Sequence, residues 1–222
     1  MPAAVDMLVS VKIDFQRVGV PEGAREVLLI RHGACDPPGP GGLIGGRSDP
    51  SLNAAGRAQA EAVTRLLADR ANGPLFASRL RRTRETIAGL GRTPVELPDL
   101  DEVYLGEWEG HGIATRGMAG DPEFLAMLQS QRWDVIPGSE SAADFAARCR
   151  SALAQVAAAV TDAPAIVATH AGTIAEMLRI VTGSDGFAFL QVANGGLSRV
   201  AALPDGRWTL LSFNETAHLA GV

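Results

Sequence analysis

The chain has 222 residues, 46% of them hydrophobic and 20% charged, with 25 Gly and 13 Pro, a composition that fits a globular fold rich in turns and excludes an extended disordered chain. A formal net charge of −5 leaves no broad basic excess to neutralise nucleic-acid phosphates, so an anionic partner must be small and met by a local basic pocket. No stretch approaches the run of about 18 apolar residues that a membrane span needs, so no membrane partner is expected.

Residues 1–24 read as an N-terminal extension to a single domain covering 1–222. Their one modest apolar stretch, Met7 to Ile13, suits an added edge strand or a loose arm ahead of the Pro21-Glu22-Gly23 turn. Asp6, Lys12, Asp14 and Arg17 interrupt what a secretory leader would keep apolar, and the two cysteines, Cys35 and Cys149, then belong to a reduced, cytoplasmic setting.

Val27, Leu28, Leu29 and Ile30 form a short continuous apolar run, the signature of a fully buried strand, and the run stops at Arg31, His32 and Gly33. In open α/β sheets ligands bind at that carboxyl edge, and a glycine lets the backbone turn away without blocking it. Asp36 to Gly46 is too rich in Gly and Pro for regular structure; no Gly-Lys-Ser/Thr follows, so it is a loop beside the site and not a nucleotide cradle.

Asn53 to Arg70 carries Ala58, Ala62, Val63, Leu66 and Leu67 at helical spacing, with Asn53 placed to cap. Leu75-Phe76-Ala77 is a short buried strand ending in Ser78. Arg79 to Leu90 is helical, with Arg79, Arg81, Arg82 and Arg84 crowding its start; positive charge there opposes the helix dipole and makes sense beside an anion. Pro94 to Leu97 is a further strand. The acidic, aromatic segment from Asp99 to Gly112 opens an excursion over about 100–140 that covers the site and holds one helix, Pro122 to Arg132.

Ser141 to Val160 is the clearest helix, with Phe145, Cys149, Leu153, Val156 and Val160 on one face and Ser141 with Asp144 at its cap. Ala165 to Ala168 repeats the opening pattern: an apolar strand, then Thr169, His170, Ala171 and Gly172, then a helix over Ile174 to Val181 whose free amides face the same place. Leu197 to Leu203 and Trp208 to Phe213 make a terminal hairpin. Helices alternating with short apolar strands specify an α/β fold with a mostly parallel sheet.

His32 and His170 therefore each leave the end of a buried strand. That pairing suits phosphoryl transfer through a histidine nucleophile, with a phosphohistidine dividing the reaction in two. Arg31 and Arg82 are positioned to grip phosphate oxygens bidentately, and His170, if protonated, adds a donor. The leaving alkoxide needs a proton, and Asp99, Asp101, Glu102, Glu107 and Glu109 are all candidates on chemistry alone.

Arg31-His32-Gly33 after an apolar strand, Gly46-Arg47 with Asp49 and Leu52, Gly56-Arg57 with Gln59-Ala60, Ser78 with Arg82 and Thr86, Leu100 and Glu102 before Gly106-Glu107-Trp108-Glu109-Gly110, and the late His170 occur in one order from about residue 27 to 200. As a set they resemble the histidine phosphatase superfamily, also called the phosphoglycerate mutase-like family.

The resemblance implies a three-layer α/β sandwich with a mostly parallel central sheet flanked by helices. It implies His32 as nucleophile, Glu102 as proton donor and later base, and Arg31, Arg82 and His170 as the phosphate pocket. Arg47 is placed to meet the phosphate or the remote part of the substrate, and Ala171, where a Gly is frequent, still offers a backbone amide. Cys35 and Pro38 stand where the family often has Thr and Asn, and Arg79 where Pro often follows the Ser.

The expected activity is metal-independent, cofactor-free hydrolysis of a small-molecule phosphomonoester, in the manner of a histidine acid phosphatase. A phosphoglycerate mutase-type transferase and a noncatalytic phosphate-binding module are the alternatives, and a homodimer is an open option. His111 and His218 are expected in solvent, Cys35 as loop filler, and Trp108 and Tyr104 packed beneath the acidic residues.

Overall fold

The computed structural model describes residues 20–39, 42–70 and 72–222, so the Met7–Ile13 stretch lies outside the described residues. Its elements are β1 (Arg25–Arg31), α1 (Ala54–Leu67), β2 (Leu75–Ala77), α2 (Arg81–Ile87), β3 (Val95–Glu96), α3 (Ile113–Met118), α4 (Pro122–Ser130), α5 (Ala142–Ala159), β4 (Ala165–Thr169), α6 (Ala171–Thr182), β5 (Leu197–Ala202) and β6 (Trp208–Glu215).

The strands form one six-stranded sheet in the order β3-β2-β4-β1-β5-β6. β1, β2, β3 and β4 run parallel, β5 adds antiparallel to β1, and β6 pairs antiparallel with β5 to complete the expected hairpin. This is the α/β architecture that the alternation of elements specified.

The unbroken apolar run of β1 follows from burial on both faces of the sheet. Val27 and Leu29 point into the core formed with α5 and α6, among Phe145, Cys149, Leu153, Ile174 and Leu178. Leu28 and Ile30 point the other way, against Val63, Leu67 and Ile87 of α1 and α2. All four strand residues are essentially inaccessible, and burying each such side chain contributes about 1.5–3 kcal/mol.

The caps fall where the sequence places them. Asn53 Oδ1 accepts the Gly56 amide at 2.9 Å, and Ser141 Oγ accepts the Asp144 amide at 3.1 Å. One element was not anticipated: α3 is short and carries Gly117 near its end, which weakens any helical pattern. Within the described residues no helix is long and apolar enough to cross a membrane.

Candidate active site

Parallel pairing of β1 with β4 puts Arg31 opposite Thr169, and the His32 amide donates to the Thr169 carbonyl at 2.9 Å. The two chains leave the sheet side by side, and the rings of His32 and His170 stand 5.2 Å apart. The turn at Arg31-His32-Gly33 has α1 pressed onto it: a Cβ on Gly33 would lie 2.5 Å from the Gly56 carbonyl oxygen, and one on Gly56 2.0 Å from that of Ala34. Backbone therefore packs directly on backbone, which explains a glycine at both places.

His32 is buried. Its Nδ1 lies 2.7 Å from the Gly33 carbonyl, an acceptor only, so Nδ1 carries the proton and Nε2 keeps the lone pair. Nε2 makes no hydrogen bond within the described residues. Burial, and then the charges of Arg82 and Arg31, hold the imidazole well below its usual pKa of 6.5; it is neutral at neutral pH. The Thr86 hydroxyl accepts the Gly33 amide at 2.9 Å and Asn194 Nδ2 donates to the His32 carbonyl at 2.9 Å, so both sides of the turn are tied down. Arg31 Nη1 donates to the Val192 carbonyl, while its Nε is buried without a partner among the described residues. Burial lowers the guanidinium pKa, an effect that nearby Glu102 opposes.

Arg82 and His170 are both fully buried, immediately behind His32. Arg82 donates from Nε to His170 Nδ1 at 3.2 Å, from Nη1 to the Ser48 carbonyl at 2.6 Å and from Nη2 to the Gly45 carbonyl at 3.2 Å. His170 Nδ1 is thereby an acceptor, so its proton sits on Nε2 and is donated to Ser78 Oγ at 2.8 Å. This departs from the protonated His170 considered above. Burial first, then Arg82 and His32, keep the ring well below its ordinary pKa.

Glu102 approaches from the other side. Its carboxylate accepts the amides of Gly172 at 3.1 Å, Thr173 at 3.1 Å and Val103 at 2.9 Å. The N-terminal amides of α6, expected to face a substrate, are thus partly taken by this side chain. Ala171 remains on the cavity wall with an amide that Glu102 does not engage. Arg148 of α5 fixes the backbone leading to Glu102, donating to the carbonyls of Asp99, Asp101 and Glu102 while pairing with Glu140.

The other acidic candidates are engaged elsewhere. Asp101 pairs with Arg79 at 2.6 Å, and Glu109 accepts the amides of Arg47 and Ser48. Asp99 accepts from Gln155, and Glu107 is exposed.

Arg31, His32, Glu102, Ala171 and Asn194 all line one cavity of about 420 Å³. Arg82 and His170 are fully buried and do not line it. Arg47 does not line it either: its guanidinium lies 3.7 Å from the centre of the Tyr104 ring and lines a second cavity with Arg79 and Arg148, on whose wall Glu102 also stands. Cys35 lines the site 4.0 Å from His32 Nδ1, but burial pushes its thiol up to about 11, so it is not a ready nucleophile.

Trp108 is buried and His111 exposed, as expected, whereas Tyr104 is only half-buried, beneath Arg47. His218 is likewise half-buried, with Nε2 2.9 Å from the carbonyl of Gly195. The amide of Gly195 in turn donates to the Arg31 carbonyl at 3.0 Å, so this histidine supports the site loop instead of sitting in solvent.

A central strand that delivers a guanidinium and an imidazole to one cavity at the sheet's carboxyl edge marks a class of phosphate-handling α/β proteins. Residues 27–216 match the histidine phosphatase superfamily (branch 1), and the chain belongs to that family. A glucosyl-3-phosphoglycerate phosphatase of Mycobacterium tuberculosis is 30% identical over 205 residues, 85% of this chain and 86% of the relative. Phosphoglycerate mutase-like protein 4 of Arabidopsis thaliana is 28% identical over 202 residues, 87% of this chain and 86% of that protein. The structure of mycobacterial glucosyl-3-phosphoglycerate phosphatase with inorganic phosphate superposes with a TM-score of 0.72 at 25% identity, covering 88% of this chain and 99% of the other.

Proposed function

We propose that this chain is a metal-independent phosphomonoester hydrolase that works through a phosphohistidine on His32 and takes a small phosphorylated metabolite. The observation that carries the reading is the joint placement, in one cavity, of a neutral His32 whose Nε2 is unbonded and an Arg31 whose Nε–H is unpartnered among the described residues, together with the Glu102 carboxyl group. Relatives named as phosphatases, and one relative's complex with inorganic phosphate, support it.

In the first step the His32 lone pair attacks phosphorus, the P–O bond to the alcohol breaks, and Glu102 gives its proton to the leaving oxygen. In the second, Glu102 takes a proton from water as that water attacks the phosphohistidine. Phosphate leaves and both side chains return to their starting states. Arg31 and the spare N–H groups of Arg82 stabilise charge on the transferring group, and His170 acts with them by fixing Arg82.

Incubation with a panel of phosphomonoesters in the presence of a chelator tests the proposal. The expected result is released phosphate and an acid-labile phosphoenzyme that His32→Ala abolishes. Full activity in that variant overturns the mechanism. Exchange of phosphate between hydroxyls without release would mark a mutase, and binding without turnover a noncatalytic module.

A further inference from the structure

We infer that the esters this site handles best carry an apolar leaving group with no second anionic group; the inference rests on the phosphatase reading above. Around the reacting end of the cavity stand Leu43, Ile44, Leu105, Ile113, Trp133 and Leu190. All but Leu105 are partly accessible, so these apolar faces are open to whatever the phosphate carries. Trp133 is braced by Phe187, ring centres 4.7 Å apart, and offers a fixed aromatic wall.

Arg31 is the only basic side chain lining the cavity among the described residues, and the phosphate claims it. The neighbouring cations are spoken for or face elsewhere. Arg79 pairs with Asp101, Arg148 with Glu140, and Arg47 lies on Tyr104 in a cavity that also holds Asp99, Asp101, Glu140 and Asp144. A carboxylate on the leaving group would therefore be desolvated against leucine, isoleucine and tryptophan without a partner, which is costly. An alkyl or aryl group would replace water on the same surfaces.

The test compares kcat/KM for ethyl, butyl and hexyl phosphate with that for 3-phosphoglycerate, all esters of ordinary alcohols. The alkyl series should rise by about fourfold per added methylene until the cavity is filled, and hexyl phosphate should exceed 3-phosphoglycerate by about a hundredfold. Phosphate release with a flat alkyl series, or with 3-phosphoglycerate preferred, overturns this inference and leaves the phosphatase reading standing. Absence of both turnover and phosphoenzyme on every ester overturns the reading itself. Ile44→Lys and Leu190→Lys, on two different irregular segments, should each flatten the alkyl series and raise 3-phosphoglycerate turnover about tenfold or more. An unchanged series in both folded variants also overturns it.

Discussion

Arg82 donates its Nε–H to Nδ1 of His170 at 3.2 Å, with both side chains buried to 0% accessibility. One hydrogen bond thus selects the His170 tautomer and holds the guanidinium behind His32. Its two other arms are set by the Ser48 and Gly45 carbonyls, bonds that leave one further N–H on each of Nη1 and Nη2. A lysine at this position keeps the charge and loses the fork. Arg82→Lys should lower kcat/KM by roughly 10²–10³, with weaker inhibition by inorganic phosphate; steady-state kinetics with phosphate as inhibitor measures both.

The same burial sets a pH dependence. His32 and His170 titrate well below 6.5 when folded and near 6.5 when unfolded. Between those values the unfolded chain binds more protons, so stability contributed by the neutral imidazoles is fully present above 6.5 and is lost as pH falls through the window beneath it. Urea midpoints should therefore fall from about pH 7.5 to about pH 5, and less steeply in His170→Asn. Because the proposed mechanism needs His32 neutral in the free enzyme, the acid limb of kcat/KM should lie well under 6.5. A limb at 6.5 would contradict the burial seen here.

Gly172 reports on Glu102. A Cβ there would sit 2.6 Å from Glu102 Oε1 and 3.3 Å from Val103 Cγ1, so Gly172→Ala must push the carboxyl group off the α6 amides. Alanine also favours the helix by about 1 kcal/mol over glycine, which offsets the crowding in the stability balance. The variant should lose about tenfold or more in kcat while phosphate inhibition changes little. Loss of phosphate binding in equal measure would place Glu102 among the phosphate ligands.

Glu109 anchors the loop that Arg82 reads. Its Oε1 accepts the amides of Arg47 and Ser48, and Arg82 donates to carbonyls in that same turn. Glu109→Ala should cost about 1–2 kcal/mol of stability and weaken phosphate binding through the displaced arginine. Glu109→Gln keeps an oxygen for the amides and should recover most of both. Denaturant melts alongside phosphate inhibition constants would separate the two effects.

How much of this was legible in sequence depends on the reach of each contact. The β1 strand, the α1 cap at Asn53 and the two histidines at strand ends were legible because burial period, capping chemistry and chain breaks are local signals. The choice of Glu102 among its acidic neighbours needed a resemblance. The structure supplies a geometric ground for it, since Asp101 and Glu109 are committed to Arg79 and to the 47–48 amides.

Asn194 lies 162 positions from the His32 carbonyl it binds, and nothing around it in sequence betrays that contact. The tautomer of His170 was not legible either, because the partners that set it, Ser78 and Arg82, are 92 and 88 positions away. Arg47 fitted the motif, yet stacks on Tyr104 outside the cavity.

Arg148 lies outside the cavity, yet its loss should be felt inside it. From the middle of α5 it spans to the carbonyls of Asp99, Asp101 and Glu102, and its pair with Glu140 is largely sheltered, with side-chain exposures of 17% and 18%. Removing it strands the three carbonyls and leaves Glu140 without its cation. Arg148→Met keeps an aliphatic stem while deleting the guanidinium, which also lies over the Phe145 ring. It should cost about 3 kcal/mol or more of stability and lower kcat further than KM, because Glu102 loses its backbone anchor while His32 and Arg31 keep theirs. The double variant Arg148→Met with Glu140→Gln relieves the unpaired carboxylate and should regain part of the stability without regaining kcat. That separation, read by denaturant melts and initial rates on the same preparations, distinguishes positioning of Glu102 from general loosening of the fold.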